Sequence, residues 1–226
     1  KRELFAKYLR AKAKNNATIA YESGLEVRYE MYKVVVKRTG GIYEGKMVVG
    51  ADGGNSLVRK AARIERPRLS LGVMIKTRND LQGNINIFFN KYFSPDFFAW
   101  VIPQNNEYGL ISSIRPREYL NYFQRKLYLP DGNIHAHLIP TGYTKSYANR
   151  TILVGDAAGQ NKPLTGGGIM FGIIAAQYAA SVIKDAFEPE RYDENHLWPY
   201  EMLWKKDFAW EIDKQFLARM FYRNIT

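Results

Sequence analysis

Twice in this chain of 226 residues a short apolar run ends on glycine and passes to a single aspartate. The first instance is Val48-Val49-Gly50-Ala51-Asp52-Gly53-Gly54, with Ser56 placed to cap a helix. The second is Leu153-Val154-Gly155-Asp156-Ala157-Ala158-Gly159, followed by Thr165-Gly166-Gly167-Gly168 and a long apolar stretch from Ile169. Short apolar runs without alternation suit strands covered on both faces. Glycine at their ends lets backbone approach a ligand or a neighbouring element closely. Each joint reads as a buried strand that feeds a loop. Each joint alone reads equally as a helix packed tightly on a strand. Together, in this order, they favour a bound group.

The second joint says what kind of group. Free N–H groups at the start of the helix from Ile169 carry partial positive charge and suit an acceptor that becomes anionic. A flavin ring meets that description, and a flat ring needs small residues beneath it. Asp52 and Asp156 can accept hydrogen bonds from sugar hydroxyls or hold their turns.

Around these joints the pattern predicts a helix over Arg2 to Lys14 and short strands at Thr18–Ala20, Leu25–Tyr29, Val34–Arg38 and Gly45–Gly50, the last two paired around Thr39-Gly40-Gly41. From Leu69 to Pro140 the text turns to β-branched and aromatic runs, around Gly72–Thr77, Asn84–Phe89, Phe97–Ile102, Tyr108–Ile114 and Asn133–Ile139, which predict a mostly antiparallel sheet. One helix interrupts it, opening at Pro116, with Tyr119, Leu120, Phe123 and Leu127 on its apolar face. Ile169 to about Lys184 reads as a buried helix, and Leu197 to Arg223 as an amphipathic one.

The totals exclude more than they assign. The absence of cysteine removes disulfides, iron–sulfur clusters and thiolate metal sites. A net charge of +11 attracts anions, but no nucleic-acid motif accompanies it, so nucleic acid is not expected as a partner. His135 and His137 lie two apart without a local carboxylate, which predicts no metal site. The acidic stretch from Asp185 to Glu194 reads as a solvated connection, and Asn16-Ala17-Thr18 is a glycosylation sequon by pattern only.

The residues resemble those of the FAD-dependent geranylgeranyl reductase family, within the aromatic-hydroxylase-like flavoproteins. The likeness runs along nearly the whole chain. Arg2-Glu3-Leu4-Phe5-Ala6-Lys7-Tyr8-Leu9 is similar to the family's Arg-x-x-Phe-Asp-x-x-Leu helix, with Ala6 where Asp is usual. Gly50-Ala51-Asp52-Gly53, Gly155-Asp156-Ala157-Ala158 and Pro163-Leu164-Thr165-Gly166-Gly167-Gly168-Ile169 are similar to its three cofactor turns. Leu197-x-x-Tyr200-Glu201-x-x-Trp204 resembles the helix that follows. The resemblance implies FAD contacts at Arg2, Asp52, Gly155, Asp156, Ala157, Pro163, Gly166, Gly167, Gly168 and Ile169. Phe98-Ala99-Trp100-Val101-Ile102-Pro103 resembles the reductases' Tyr-x-Trp-x-Phe-Pro strand, which implies that Phe98, Trp100, Ile102 and Pro103 meet the substrate; a packed sheet core is the other reading of the same residues.

The implied fold is an aromatic-hydroxylase-type FAD-binding α/β fold with an antiparallel substrate sheet and C-terminal helices. Residues 1–66 and 141–185 would form the FAD domain, 67–140 the sheet domain and 186–226 a helical segment. The Gly-x-Gly-x-x-Gly turn that holds FAD pyrophosphate does not occur in the sequence, so the N-terminal βαβ unit is expected to be missing. The implied activity is reduction of isoprenoid double bonds in a prenylated lipid, with electrons from a donor the residues do not specify. The expected location is the cytoplasm, with peripheral contact at the inner face of the membrane. A flavin monooxygenase or halogenase is the first alternative, since the same strand also resembles the halogenases' Trp-x-Trp-x-Ile-Pro. A non-catalytic prenyl-lipid or partner-binding protein is the second. No catalytic proton donor stands out.

Overall fold

Period-two alternation decides the largest sheet. In the computed structural model, which describes residues 2–95 and 97–225, Leu69–Lys76 (β5), Asn86–Phe88 (β6), Ala99–Ile102 (β7), Glu107–Ser112 (β8) and Asn133–Pro140 (β9) pair antiparallel in the order β6-β7-β8-β5-β9. Val73, Ile75, Ala99, Val101, Tyr108 and Leu110 are buried on one face against Leu120 and Phe123 of the helix Pro116–Lys126 (α3). Proline fits at the first position of α3 because its φ is already helical and its missing N–H would have no partner there. The other face carries Phe98, Trp100 and Ile102, all half-buried.

Gly24–Tyr29 (β1), Val34–Arg38 (β2) and Gly41–Gly45 (β3) form an antiparallel meander. The expected partner of Val34–Arg38 was Gly45–Gly50; its partner is instead Gly41–Gly45, because the chain reverses at Thr39-Gly40 and Arg38 pairs with Gly41. Val48–Gly50 (β4) leaves for a third sheet, where it runs parallel to Thr151–Leu153 (β11), and Tyr147–Ala148 (β10) pairs antiparallel on the far side of β11. Thr18–Ala20 is not a strand, having no hydrogen-bonded neighbour among the described residues.

The helices depart from expectation in two places. Ile169–Phe187 (α4) buries one stripe, Phe171, Ala175, Ala179, Val182 and Ala186, and leaves Ile169 and Met170 exposed, so it is not the wholly buried helix expected. By length and composition α4 could cross a bilayer; here its buried stripe packs on Glu194–Trp204 (α5). The helix expected over Leu197–Arg223 forms without interruption but carries a π-turn at Lys205–Ala209, which divides it into α5 and Trp210–Ile225 (α6). Trp204 and Phe208 both face inward, where their rings stack at 5.3 Å and Phe208 stacks on Phe171 at 4.5 Å. Arg2–Ala13 (α1) forms as expected, with Leu4, Phe5, Tyr8 and Leu9 exposed.

Candidate functional site

The parallel pairing of β4 and β11 brings the two glycine–aspartate joints together. Gly50 lies opposite Leu153, and Val154 N–H donates to Gly50 O at 2.9 Å. Both joints therefore leave the sheet at the C-terminal ends of adjacent parallel strands, the edge where open α/β sheets bind ligands.

The two aspartates do different work. Asp52 holds its own turn: it accepts from Ser56 Oγ at 2.6 Å, Leu57 N at 2.6 Å and Val58 N at 3.2 Å, so its carboxylate serves the start of the short helix Leu57–Ala61 (α2). Ser56 caps the same helix through Arg59 N at 2.9 Å. Asp156 accepts no hydrogen bond from any described residue, is half-buried, and has its carboxyl pushed above the usual carboxylate range by that burial. An unpaired carboxylate in such a place is costly unless something else pairs with it.

That carboxylate opens into a cavity of about 560 Å³ lined also by Gly155, Lys162, Gly166, Gly167, Gly168 and Ile169. Thr165-Gly166-Gly167-Gly168 forms one wall and leads into α4, whose first turn has no side-chain cap and no acidic residue. A Cβ on Gly168 would sit 3.2 Å from Asp156 Oδ1 and 3.1 Å from Asn161 Cβ, so a larger residue there would press on both. Opposite, the open face of the five-stranded sheet approaches the same loop: Gly166 lies near Ile111 and Ile139. Trp100 pairs with Gly109 and its indole covers it, because a Cβ there would meet Trp100 Cζ2 at 2.8 Å. Phe98 packs edge-on against Trp100 at 6.0 Å. A glycine-lined cavity that carries an unpaired carboxylate suits a ligand that offers hydroxyl donors and lies against backbone.

Of the residues singled out in the sequence, Gly155, Asp156, Gly166, Gly167, Gly168 and Ile169 line this cavity. Ala157 is buried behind it, and Pro163 accepts from Arg219 through its carbonyl at 3.1 Å. Asp52 lies on the neighbouring joint, not among the cavity residues. Phe98, Trp100 and Ile102 share the open sheet face, whereas Pro103 falls with the buried parity of Ala99 and Val101 and opens a 3-10 turn, so it does not join that face. The side chain of Arg2 lies outside the described residues. His135 and His137 sit exposed on β9, without a third ligand among the described residues. A larger depression, about 940 Å³, lies at β1, α2 and the segment before α5, among side chains of both signs and away from all of these residues.

Five supporting residues have no role legible in the sequence. Arg59, fully buried, ties the two joints by donating to Gly54 O and Ala157 O, both at 2.8 Å, and burial lowers its pKa. Gln160 accepts from Gly155 N at 2.8 Å and donates to Tyr200 Oη at 2.9 Å; Tyr200 in turn donates to Leu153 O at 2.7 Å. Arg219, on α6, binds Pro163 O and Ser70 Oγ, joining the last helix to loop and sheet. Lys162 contributes a cation to the cavity itself.

A geranylgeranyl bacteriochlorophyll reductase-like protein from Thermoplasma acidophilum superposes with a TM-score of 0.81 at 23% identity, over 98% of this chain and 63% of that one. A flavin-dependent halogenase superposes with a TM-score of 0.63 at 16% identity, over 91% of this chain and 44% of that one. No protein-family model matches the chain. The fold is thus the α/β fold of aromatic-hydroxylase-type flavoproteins. In sequence, the digeranylgeranylglycerophospholipid reductase of Methanococcus aeolicus is 29% identical over 92% of this chain and 60% of its own length. Reductase 1 of that name from Methanococcoides burtonii is 32% identical over 80% of this chain and 49% of its own length. In sequence the chain is thus similar to digeranylgeranylglycerophospholipid reductases, and it spans about half to three-fifths of the length of these relatives.

Proposed function

We propose that the complete protein is an FAD-dependent oxidoreductase that saturates double bonds in the prenyl chains of a glycerophospholipid. The observation that carries the reading is Asp156, an unpaired carboxylate in a glycine-floored cavity beside an aromatic sheet face. The names of the sequence relatives supply the substrate class. A Gly-x-Gly-x-x-Gly pyrophosphate turn is not among these 226 residues, so in this reading another segment holds that part of FAD.

FAD reduced by an electron donor would supply hydride for one alkene carbon, and a proton would complete the other. Asp156 accepts from a ribityl hydroxyl, which gives its carboxylate the partner it lacks. Gly166, Gly167 and Gly168 let the ring lie against backbone, and the uncapped start of α4 favours negative charge on whatever is seated there. An isolated alkene is a poor hydride acceptor, so placement dominates the rate. Phe98, Trp100 and Ile102 hold the prenyl chain and keep water away. A basic surface, with net charge +11, favours work beside anionic headgroups at a membrane face.

The test is anaerobic turnover of the complete protein with chemically reduced FAD and a geranylgeranylated glycerophospholipid. Mass spectrometry should show two hydrogens gained per double bond. No saturation without oxygen, with an oxygenated or halogenated product in air, would replace this reading with the monooxygenase or halogenase alternative.

A further inference from the structure

Among the described residues that line the cavity of Asp156, Lys162 is the one cation. The backbone fixes its place. Lys162 N–H donates to Gly167 O at 2.9 Å, and Lys162 O accepts from Thr165 N at 3.2 Å and Gly166 N at 2.8 Å. These three bonds tie the Thr165–Gly168 loop to Lys162, so loop and lysine hold one geometry. The side chain reaches the first turn of α4, where its ammonium lies 5.6 Å over the Phe171 ring. The cavity therefore meets two positive features, this ammonium and the uncapped start of α4.

This cation is not spent on a carboxylate. Lys162 forms no ion pair with a described residue. The one acid of the cavity, Asp156, has its carboxyl pushed up by burial, with no neighbouring cation drawing it down. An ammonium within about 4–6 Å would do so. Two opposite charges thus face one space of about 560 Å³ without meeting. A hydroxyl donor satisfies the first. The second is satisfied by an acceptor that carries negative charge, and a lysine ammonium, as a compact point charge, suits one localised edge of such an acceptor.

We propose that Lys162 is the counter-charge of the reduced ring: its ammonium stabilises the negative charge that reduction places on the N1–C2=O edge of a flavin seated against Gly166, Gly167 and Gly168. The assignment rests on the flavin reading of this cavity, but not on the prenyl substrate. Two electrons and one proton leave hydrogen on N5 and negative charge at N1, and a counter-charge there spares the ring a second proton. Giving up the N5 hydride restores the neutral ring. Lys162 therefore distinguishes the two redox forms, since a neutral oxidised ring gains little from it, and only such a difference shifts an equilibrium.

The experiment is titration of the complete protein with oxidised and with chemically reduced FAD under anaerobic conditions, repeated on Lys162→Gln and Lys162→Arg. The glutamine variant should bind oxidised FAD as the parent does. It should bind reduced FAD roughly tenfold more weakly, a fall of about 30 mV in the two-electron midpoint potential. At neutral pH the absorbance of its reduced FAD should shift from the anionic toward the neutral form. Lys162→Arg keeps the charge and should keep most of the preference, and the thermal midpoints without flavin should agree. Equal weakening of both redox forms would make Lys162 a support of the loop and overturn the assignment. An unchanged preference in the glutamine variant would leave α4 as its source and overturn it too, as would a loss equally large in the arginine variant. Should the glutamine variant not fold, Lys162→Met, which keeps an apolar stem over Phe171, is judged by the same results. A parent that binds no FAD would sink the proposed function together with this assignment. Flavin bound with the preference intact, but no prenyl chain saturated, would support the assignment and sink the substrate alone.

Discussion

Asp156→Asn separates a ligand-binding carboxylate from a structural one, because the two roles give opposite signs. The substitution keeps shape and removes charge. In the free protein Asp156 has no hydrogen-bond partner among the described residues, and burial raises its pKa. A folded pKa raised above the unfolded one means that the ionised carboxylate works against folding. Stability tied to this group is complete below the ordinary carboxylate value and falls away as pH rises through the raised folded value. Asparagine removes that loss. The variant without flavin should therefore be more stable than the parent at neutral pH, with the gain fading as pH falls through the raised folded value and gone by about 4. Flavin affinity of the complete protein should move the other way. A hydrogen bond to a charged group is worth about 1.5–3 kcal/mol, which corresponds to a roughly 10- to 150-fold weaker Kd. Urea denaturation at several pH values reads the first effect, and FAD fluorescence titration the second. A variant that is less stable at pH 7 and binds FAD as before would refute the assignment and make Asp156 a structural residue like Asp52.

Three further expectations follow from the supporting residues. Arg59→Met leaves Gly54 O and Ala157 O without a donor in a buried place and should cost about 2–4 kcal/mol, read by chemical denaturation; a loss under 1 kcal/mol would show that the two joints do not depend on this bridge. Tyr200→Phe keeps the ring but strips the donor from Leu153 O and the acceptor from Gln160; a loss of about 1–3 kcal/mol is expected, with none if water enters and replaces the hydroxyl. Trp100→Ala, on the half-open sheet face, should cost about 1–3 kcal/mol, against about 3–5 kcal/mol for Phe123→Ala in the closed core. In the complete protein Trp100→Ala should retain FAD but remove fewer double bonds per chain; a stability loss equal to that of Phe123→Ala with normal product would place Trp100 in the core.

The sequence by itself determined the elements whose signals are local. Alternation through β5 to β9, Pro116 at the start of α3 and the glycine runs before α2 and α4 each follow from a few adjacent residues, and each forms. The same signals brought Asp156 and Gly166, Gly167 and Gly168 forward as one candidate group, and the cavity gathers them. What only tertiary structure decided depends on partners far along the chain. Parallel pairing of β4 with β11 joins segments about a hundred residues apart, and no local pattern records it. The Val34–Arg38 pairing was misread because Val48–Gly50, although apolar and nearby, is taken by β11 instead. The two aspartates look alike in sequence, yet one is consumed by Ser56, Leu57 and Val58 while the other faces a cavity. Arg219 reaches Pro163 and Ser70 across sequence separations of 56 and 149 residues, and nothing in its neighbours announces it. Local backbone preference and side-chain periodicity act over a few residues and survive in the one-dimensional text. Which carboxylate is paired, and which cation shares a cavity with the other, is settled by the burial of remote groups against one another, and that exists only once the chain has folded.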